Sequence, residues 1–104
     1  MHRKTKENIY NHLYTRKFKW LKQCIYCGEY ATDLDHVMPL HIVSTLDMTG
    51  ENVRKELKQG LSLVPSCSEC NSMAGSAPFD LIRDKREYVQ NKIRKKYAKY
   101  LNQV

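Results

Sequence analysis

Leu63-Val64-Pro65-Ser66-Cys67-Ser68-Glu69-Cys70-Asn71-Ser72-Met73-Ala74-Gly75 is the stretch on which the fold turns. An apolar run meets Pro65, a Cys-x-x-Cys pair follows, and an asparagine comes directly after the second thiol. The same spacing occurs earlier, in Cys24-Ile25-Tyr26-Cys27-Gly28, and 39 residues separate the two pairs. Each pair presents two thiolates from one knuckle, so two pairs complete a tetrahedron of four sulfurs, the arrangement of a closed structural zinc site. Cys24, Cys27, Cys67 and Cys70 are all the cysteines of the chain, and none is left over. Two disulfides are the alternative. The basic start Met1-His2-Arg3-Lys4 leads into Thr5-Lys6-Glu7-Asn8 rather than an apolar leader, which favours a reducing, cytoplasmic setting where such pairs hold metal. With four protein ligands the ion has no open position. Its task is to join the first third of the chain to the last.

A chain of 104 residues is one small domain, and domains of this size often need such a staple. The net charge of +7 is unevenly spread. Residues 1–22 carry seven Lys/Arg against one acid, residues 23–80 three against eight, and residues 81–104 eight against two. Two basic arms thus flank an acidic middle. Basic arms suit a polyanion such as DNA, and an acidic middle suits a cation; solvated lysine-rich helix faces are the plainer alternative. No apolar run approaches the ~20 residues of a membrane span.

Thr5 is a plausible N-cap for a helix over ~5–22, with Ile9, Leu13 and Phe18 or Leu21 as its apolar stripe. Helical spacing assigns Tyr10, Tyr14 and Trp20 to packing rather than to base stacking. Gly28 permits the tight turn of the first knuckle. Residues ~30–37 read as a short strand ended by Pro39, with Thr32, Leu34 and His36 on one face and Asp33, Asp35 and Val37 on the other. Residues 38–50 read as irregular. Glu51 to Lys58 reads as a short helix closed by Gly60, and Leu61 to Val64 as a second strand stopped by Pro65. A helix begins after Cys70 and is interrupted at Gly75-Ser76-Ala77-Pro78. A long helix over ~79–101 then carries Ile82, Val89, Ile93, Tyr97 and Leu101 on one stripe. That stripe is assigned to packing within the domain, with a dimer surface as the alternative.

Asp35-His36-Val37-Met38-Pro39, followed by Leu63 to Asn71 with its cysteines, resembles the HNH endonuclease family, the ββα-metal or His-Me finger nucleases. In the zinc-bearing branch one Cys-x-x-Cys precedes the Asp-His strand and the other precedes the final His or Asn. That order is kept here, and the resemblance covers residues 24–75. It implies an α+β fold: a ββα-metal core (residues 23–76) stapled by the four-Cys zinc, between a basic helical arm (1–22) and a basic C-terminal helix (77–104). It implies a divalent-metal-dependent DNA endonuclease that leaves 5′-phosphate and 3′-hydroxyl ends. His36 would be general base, and Asp35 and Asn71 the ligands of Mg²⁺ or another cation such as Mn²⁺ or Ni²⁺.

The residue chemistry agrees with that implication. A neutral imidazole can accept a proton from water near pH 7, and Asp35 and Asn71 offer hard oxygens while leaving room for water and phosphate. One position departs from the family pattern. The middle asparagine, which holds the histidine strand from across the loop, is replaced by Ser62, whose hydroxyl is shorter and lacks the amide's donor pair. Asn52 lies too far from Cys67 to stand in. Asp33 reads as a solvated residue with an outer-sphere role as the alternative, and His41 and Glu69 read as surface. Lys17, Lys19, Arg86, Lys92, Lys95, Lys96 and Lys99 are expected to grip DNA through its backbone, with little base readout. A homodimer, or a larger phage or restriction assembly, would allow both strands to be cut; the cell would be a bacterium or a phage-infected host. The competing reading is a non-catalytic zinc module that binds nucleic acid, and a protein-binding adaptor is a third.

Overall fold

The computed structural model describes residues 10–45 and 57–101. They form a small α+β domain around a three-stranded sheet. The strands are β1 (Thr15–Arg16), β2 (Asp33–His36) and β3 (Ser62–Ser66), with β3 central, parallel to β1 and antiparallel to β2. Three helices accompany them: α1 (Leu40–Thr45), α2 (Ser68–Ala74) and α3 (Ile82–Leu101).

Alternation along β3 sends Val64 to one face of the sheet and Leu63 to the other, and a core forms on each side. On the Val64 side, Tyr26, Val37, Ala74 and Val89 pack with Cys24 and Cys70 beneath α2 and α3. On the Leu63 side, Tyr14 and Val43 pack with Tyr10, Met38, Leu40, Leu57 and Leu61. β2 pairs Asp35 with Val64 and His36 with Leu63, so these adjacent residues enter different layers.

Of the helix expected over ~5–22, Tyr10 is helical but residues 11–22 form no α-helix, and residues 5–9 lie outside the described residues. A 3₁₀ turn at Asn11–Leu13 leads into extended chain. The N–H of Thr15 donates to Leu61 O at 2.9 Å and that of Lys17 to Leu63 O at 2.8 Å. Edge pairing on β3 satisfies the backbone, and the successive residues Leu13 and Tyr14 are both buried, which overrides a weak helical stripe. Trp20, expected to pack, is 78% exposed and touches only the edge of Phe18 among the described aromatics.

The stretch expected to be irregular contains α1. Pro39 precedes its first residue, and Pro39 O accepts the N–H groups of Ile42 and Val43. Ile42, Val43 and Thr45 are poor helix formers, so the contact of Val43 with Tyr14 decides the matter. The helix expected over Glu51–Lys58 lies outside the described residues except at Leu57 and Lys58, which are not helical. Gly60 serves a different turn: the N–H groups of Lys58, Gln59 and Gly60 all converge on the Asp80 carboxylate. A Cβ on Gly60 would meet Asp80 Oδ1 at 3.0 Å and Met38 Cβ at 3.1 Å.

Pro65 lies inside β3 rather than ending it. β1 reaches only Arg16, opposite Leu63, so the amide hydrogen that Pro65 lacks has no ladder partner to lose. Its carbonyl accepts the N–H of Ile25, which ties the first knuckle to the sheet. α2 starts at Ser68, earlier than expected, because Cys67 is its N-cap and its sulfur accepts the Cys70 N–H. α3 agrees with the expected long helix, with Ile82, Val89 and Ile93 against the core and Tyr97 mostly out of it.

Candidate metal centre and histidine cluster

The four cysteines meet where the first knuckle is pinned to β3 and the second begins α2. Their sulfurs all lie within 4.8 Å of one another, and Cys27 and Cys67 are 3.6 Å apart. That is far beyond a disulfide bond. A tetrahedron with Zn–S near 2.3 Å has sulfur edges of about 3.8 Å, so the cluster fits a metal ion such as zinc. Gly28, at φ +83°, turns the first knuckle back, and its N–H donates to Cys24 O. Burial opposes ionisation of Cys24, yet backbone N–H groups of Cys67, Cys27 and Tyr26 bring its thiol down to about 7. Burial pushes Cys27 up to about 11. A cation among the sulfurs would favour the thiolates over this cost.

Asp35 is buried beneath α3. Its Oδ2 accepts the Tyr26 hydroxyl at 2.5 Å and faces Lys85 Nζ at 3.1 Å. Lys85 is 0% exposed and also donates to His36 O at 2.6 Å and to Val37 O at 2.8 Å. Burial pulls the Lys85 ammonium below the ordinary lysine value, and Asp35 restores part of the loss. Burial, then the Asp35 charge, keeps the Tyr26 phenol well above its usual range and therefore protonated.

On the opposite face of β2, the His36 ring sits edge-on to Tyr14, with centroids 4.5 Å apart. Its Nε2 lies 3.0 Å from Asn11 Oδ1. Assigning the proton to Nε2 as donor to this amide oxygen leaves Nδ1 as the basic atom. Burial holds the imidazole below its ordinary value; Asp35 opposes that shift and Lys85 adds to it. His36 is therefore neutral at pH 7.

Asn71, at the middle of α2, reaches Asp33 rather than Asp35, with Nδ2 3.4 Å from Asp33 Oδ2. Asp33 also lines a groove of about 520 Å³ with Arg16, Lys19, Lys22 and Tyr30. Strand alternation puts Asp33 and Asp35 on one face, but only Asp33 opens toward this basic groove. Set against known proteins, the chain matches no family model, no curated protein and no solved structure. The chemistry of the centre therefore rests on its own residues.

Ser62 is buried at the start of β3, and its carbonyl accepts the Val37 N–H at 3.0 Å. His41 is half-buried in α1. Glu69, expected at the surface, is half-buried and accepts from Lys96 Nζ at 2.6 Å and from the Tyr97 hydroxyl, which ties α2 to α3. Lys17, Lys19, Arg86, Lys92, Lys95 and Lys99 are exposed, while Lys96 is half-buried beside Glu69. Lys92, Lys95, Lys96 and Lys99 surround a cavity of about 530 Å³ with Met73 and Tyr100. Among the described residues, no helix is long and apolar enough to cross a membrane.

Sequence reasoning missed Asn11, Tyr26 and Lys85. For Lys85 there was a signal. The stripe on α3 leaves a spacing of seven between Ile82 and Val89, and the helical positions that fill the gap are Lys85 and Arg86, of which Lys85 is the buried one. A lysine in line with buried apolar residues calls for a buried anion. Asn11 gave no such signal.

Proposed function

We propose that the chain is a divalent-metal-dependent DNA endonuclease of the HNH type, built on a ββα-metal core of β2, β3 and α2, with zinc as the structural ion of the four-Cys cluster. Asp33 and Asn71, rather than Asp35 and Asn71, are the oxygen pair for the catalytic cation. The observation that carries this reading is the approach of Asn71 to Asp33, a carboxylate that also lines the basic groove and lies on the strand that ends in His36.

The donor set fits the ion. Neighbouring ligands of an octahedral Mg²⁺ at about 2.1 Å lie about 3 Å apart, close to the observed Asp33–Asn71 separation. Rotating the Asn71 amide by half a turn presents its oxygen in place of its nitrogen. Asp35 lacks this capacity, because its oxygen already serves Tyr26 and a buried ammonium. A divalent cation held by Asp33 and Asn71 would supply charge relief at the phosphate and the departing 3′-oxygen. His36 takes a proton from the attacking water, whose oxygen bonds to phosphorus as the P–O3′ bond breaks. Arg16, Lys19 and Lys22 hold the flanking phosphates.

The test is calorimetric titration of the zinc-loaded protein with Mn²⁺, paired with DNA cleavage. Asp33→Ala and Asn71→Ala should each lose the second ion and the activity, whereas Asp35→Asn should keep the ion. Retained Mn²⁺ binding in Asp33→Ala, with loss in Asp35→Asn, would overturn the ligand assignment.

The sealed Asp35 and the serine at position 62 favour one second reading, a zinc module that binds DNA without cutting it. Protein that retards DNA but never cleaves it in Mg²⁺, Mn²⁺ or Ni²⁺ would establish that alternative.

A further inference from the structure

We infer that Lys85 is a positioning residue for His36, its buried ammonium clamping the end of β2. The kinetic side of this inference rests on the nuclease reading; the structural side stands without it.

Burying an ammonium completely is costly, and an apolar residue at position 85 would continue the stripe of α3 at no such cost. What the lysine adds is geometry. An ammonium has three N–H donors, and Lys85 has three acceptors: Asp35 Oδ2, His36 O and Val37 O. Two of them are the carbonyls that bracket the point where β2 ends. Tyr26 fixes the third by donating to the same Asp35 oxygen. The other side of this backbone is held by β3, where Ser62 O accepts the Val37 N–H. The peptides around His36 are thus fixed from α3 on one side and β3 on the other. The imidazole leaves this fixed backbone to meet Asn11 and Tyr14 in the opposite layer. An ordinary structural ion pair would need only the carboxylate; both carbonyl bonds fall on the histidine and its neighbour.

The experiment follows the His36 ring directly. Wild type, Lys85→Met and Asp35→Asn/Lys85→Met are compared as full chains with Co²⁺ in the four-Cys cluster for absorption, and with Zn²⁺ for NMR. The double variant avoids leaving a lone buried carboxylate. The expected result is a folded double variant with thiolate–cobalt bands intact. In it the His36 and Tyr14 rings separate, and the His36 ring signals move toward those of a free imidazole. Its kcat for DNA cleavage should fall roughly 10- to 100-fold with KM unchanged. Unaltered His36 ring signals, with Tyr14 still beside them in the folded double variant, would overturn the inference. So would a double variant that cannot fold, since the pair would then be holding the domain rather than the histidine. If wild type does not cleave DNA, the nuclease reading fails while the NMR comparison still decides the role of Lys85.

Discussion

Asp33 and Asp35 share a strand face and differ in what lies over them. Asp35 meets Lys85 and Tyr26, whereas Asp33 meets Asn71 and also lines an open groove. The carboxylate adjacent to the histidine is the more conspicuous in the sequence, yet it is the one sealed away. Nothing local distinguishes the two, because the lid is a lysine 50 positions later whose placement depends on how α3 packs. Removing the Tyr26 hydroxyl should cost about 1–3 kcal/mol, since a buried carboxylate oxygen loses a donor. Chemical denaturation of Tyr26→Phe with zinc bound measures this, and an unchanged midpoint would refute the buried bond. His36 supplies a pH prediction at the same scale. Its folded value is depressed, chiefly by burial, and in the proposed reaction the neutral ring is the base. Cleavage should rise with pH through a midpoint below the ordinary imidazole value of about 6.5 and then level off. A midpoint above that ordinary value in the pH–rate profile would contradict the assignment.

The elements show where local pattern suffices and where it does not. The knuckles were legible because four thiolates at that spacing can converge only through tight turns, and Gly28 and the Cys67 cap supply them. α3 was legible because its apolar period persists over many turns. The N-terminal segment was not, because its fate rests on an edge pairing with a strand far along the chain, Thr15 against Ser62. Pro65 misled in the other direction: it ends a strand only where its amide hydrogen is needed. α2 joins the sulfur cluster to the proposed cation site, for Cys70 belongs to the cluster and Asn71 is the next residue along. Cys70→Ser should therefore weaken zinc binding and, in whatever fraction stays folded, weaken Mn²⁺ binding as Asn71 moves. Titrating both metals into the purified variant checks this; an intact Mn²⁺ site beside a damaged zinc site would separate the two centres.

Across the whole molecule, charge divides the tasks. The acidic middle holds Asp33 and Asp35, and most exposed basic residues among those described lie on the N-terminal segment and α3. DNA affinity should fall steeply with salt. Replacing Lys92, Lys95 and Lys99 with Ala should flatten the log affinity against log salt slope by roughly 0.9 for each phosphate no longer neutralised. Fluorescence anisotropy over a salt series reads that slope, and an unchanged slope would move the DNA elsewhere on the surface. The most direct measurement is supercoiled-plasmid cleavage by the zinc-loaded protein in Mg²⁺, Mn²⁺ and Ni²⁺, with His36→Ala alongside. The wild type should nick the plasmid in at least one of these metals, stop when EDTA is added, and lose the activity in the folded His36→Ala variant. Cleavage that survives in folded, zinc-loaded His36→Ala, or a wild type that binds plasmid and leaves it supercoiled in every metal, would contradict the assignment of this centre as a nuclease.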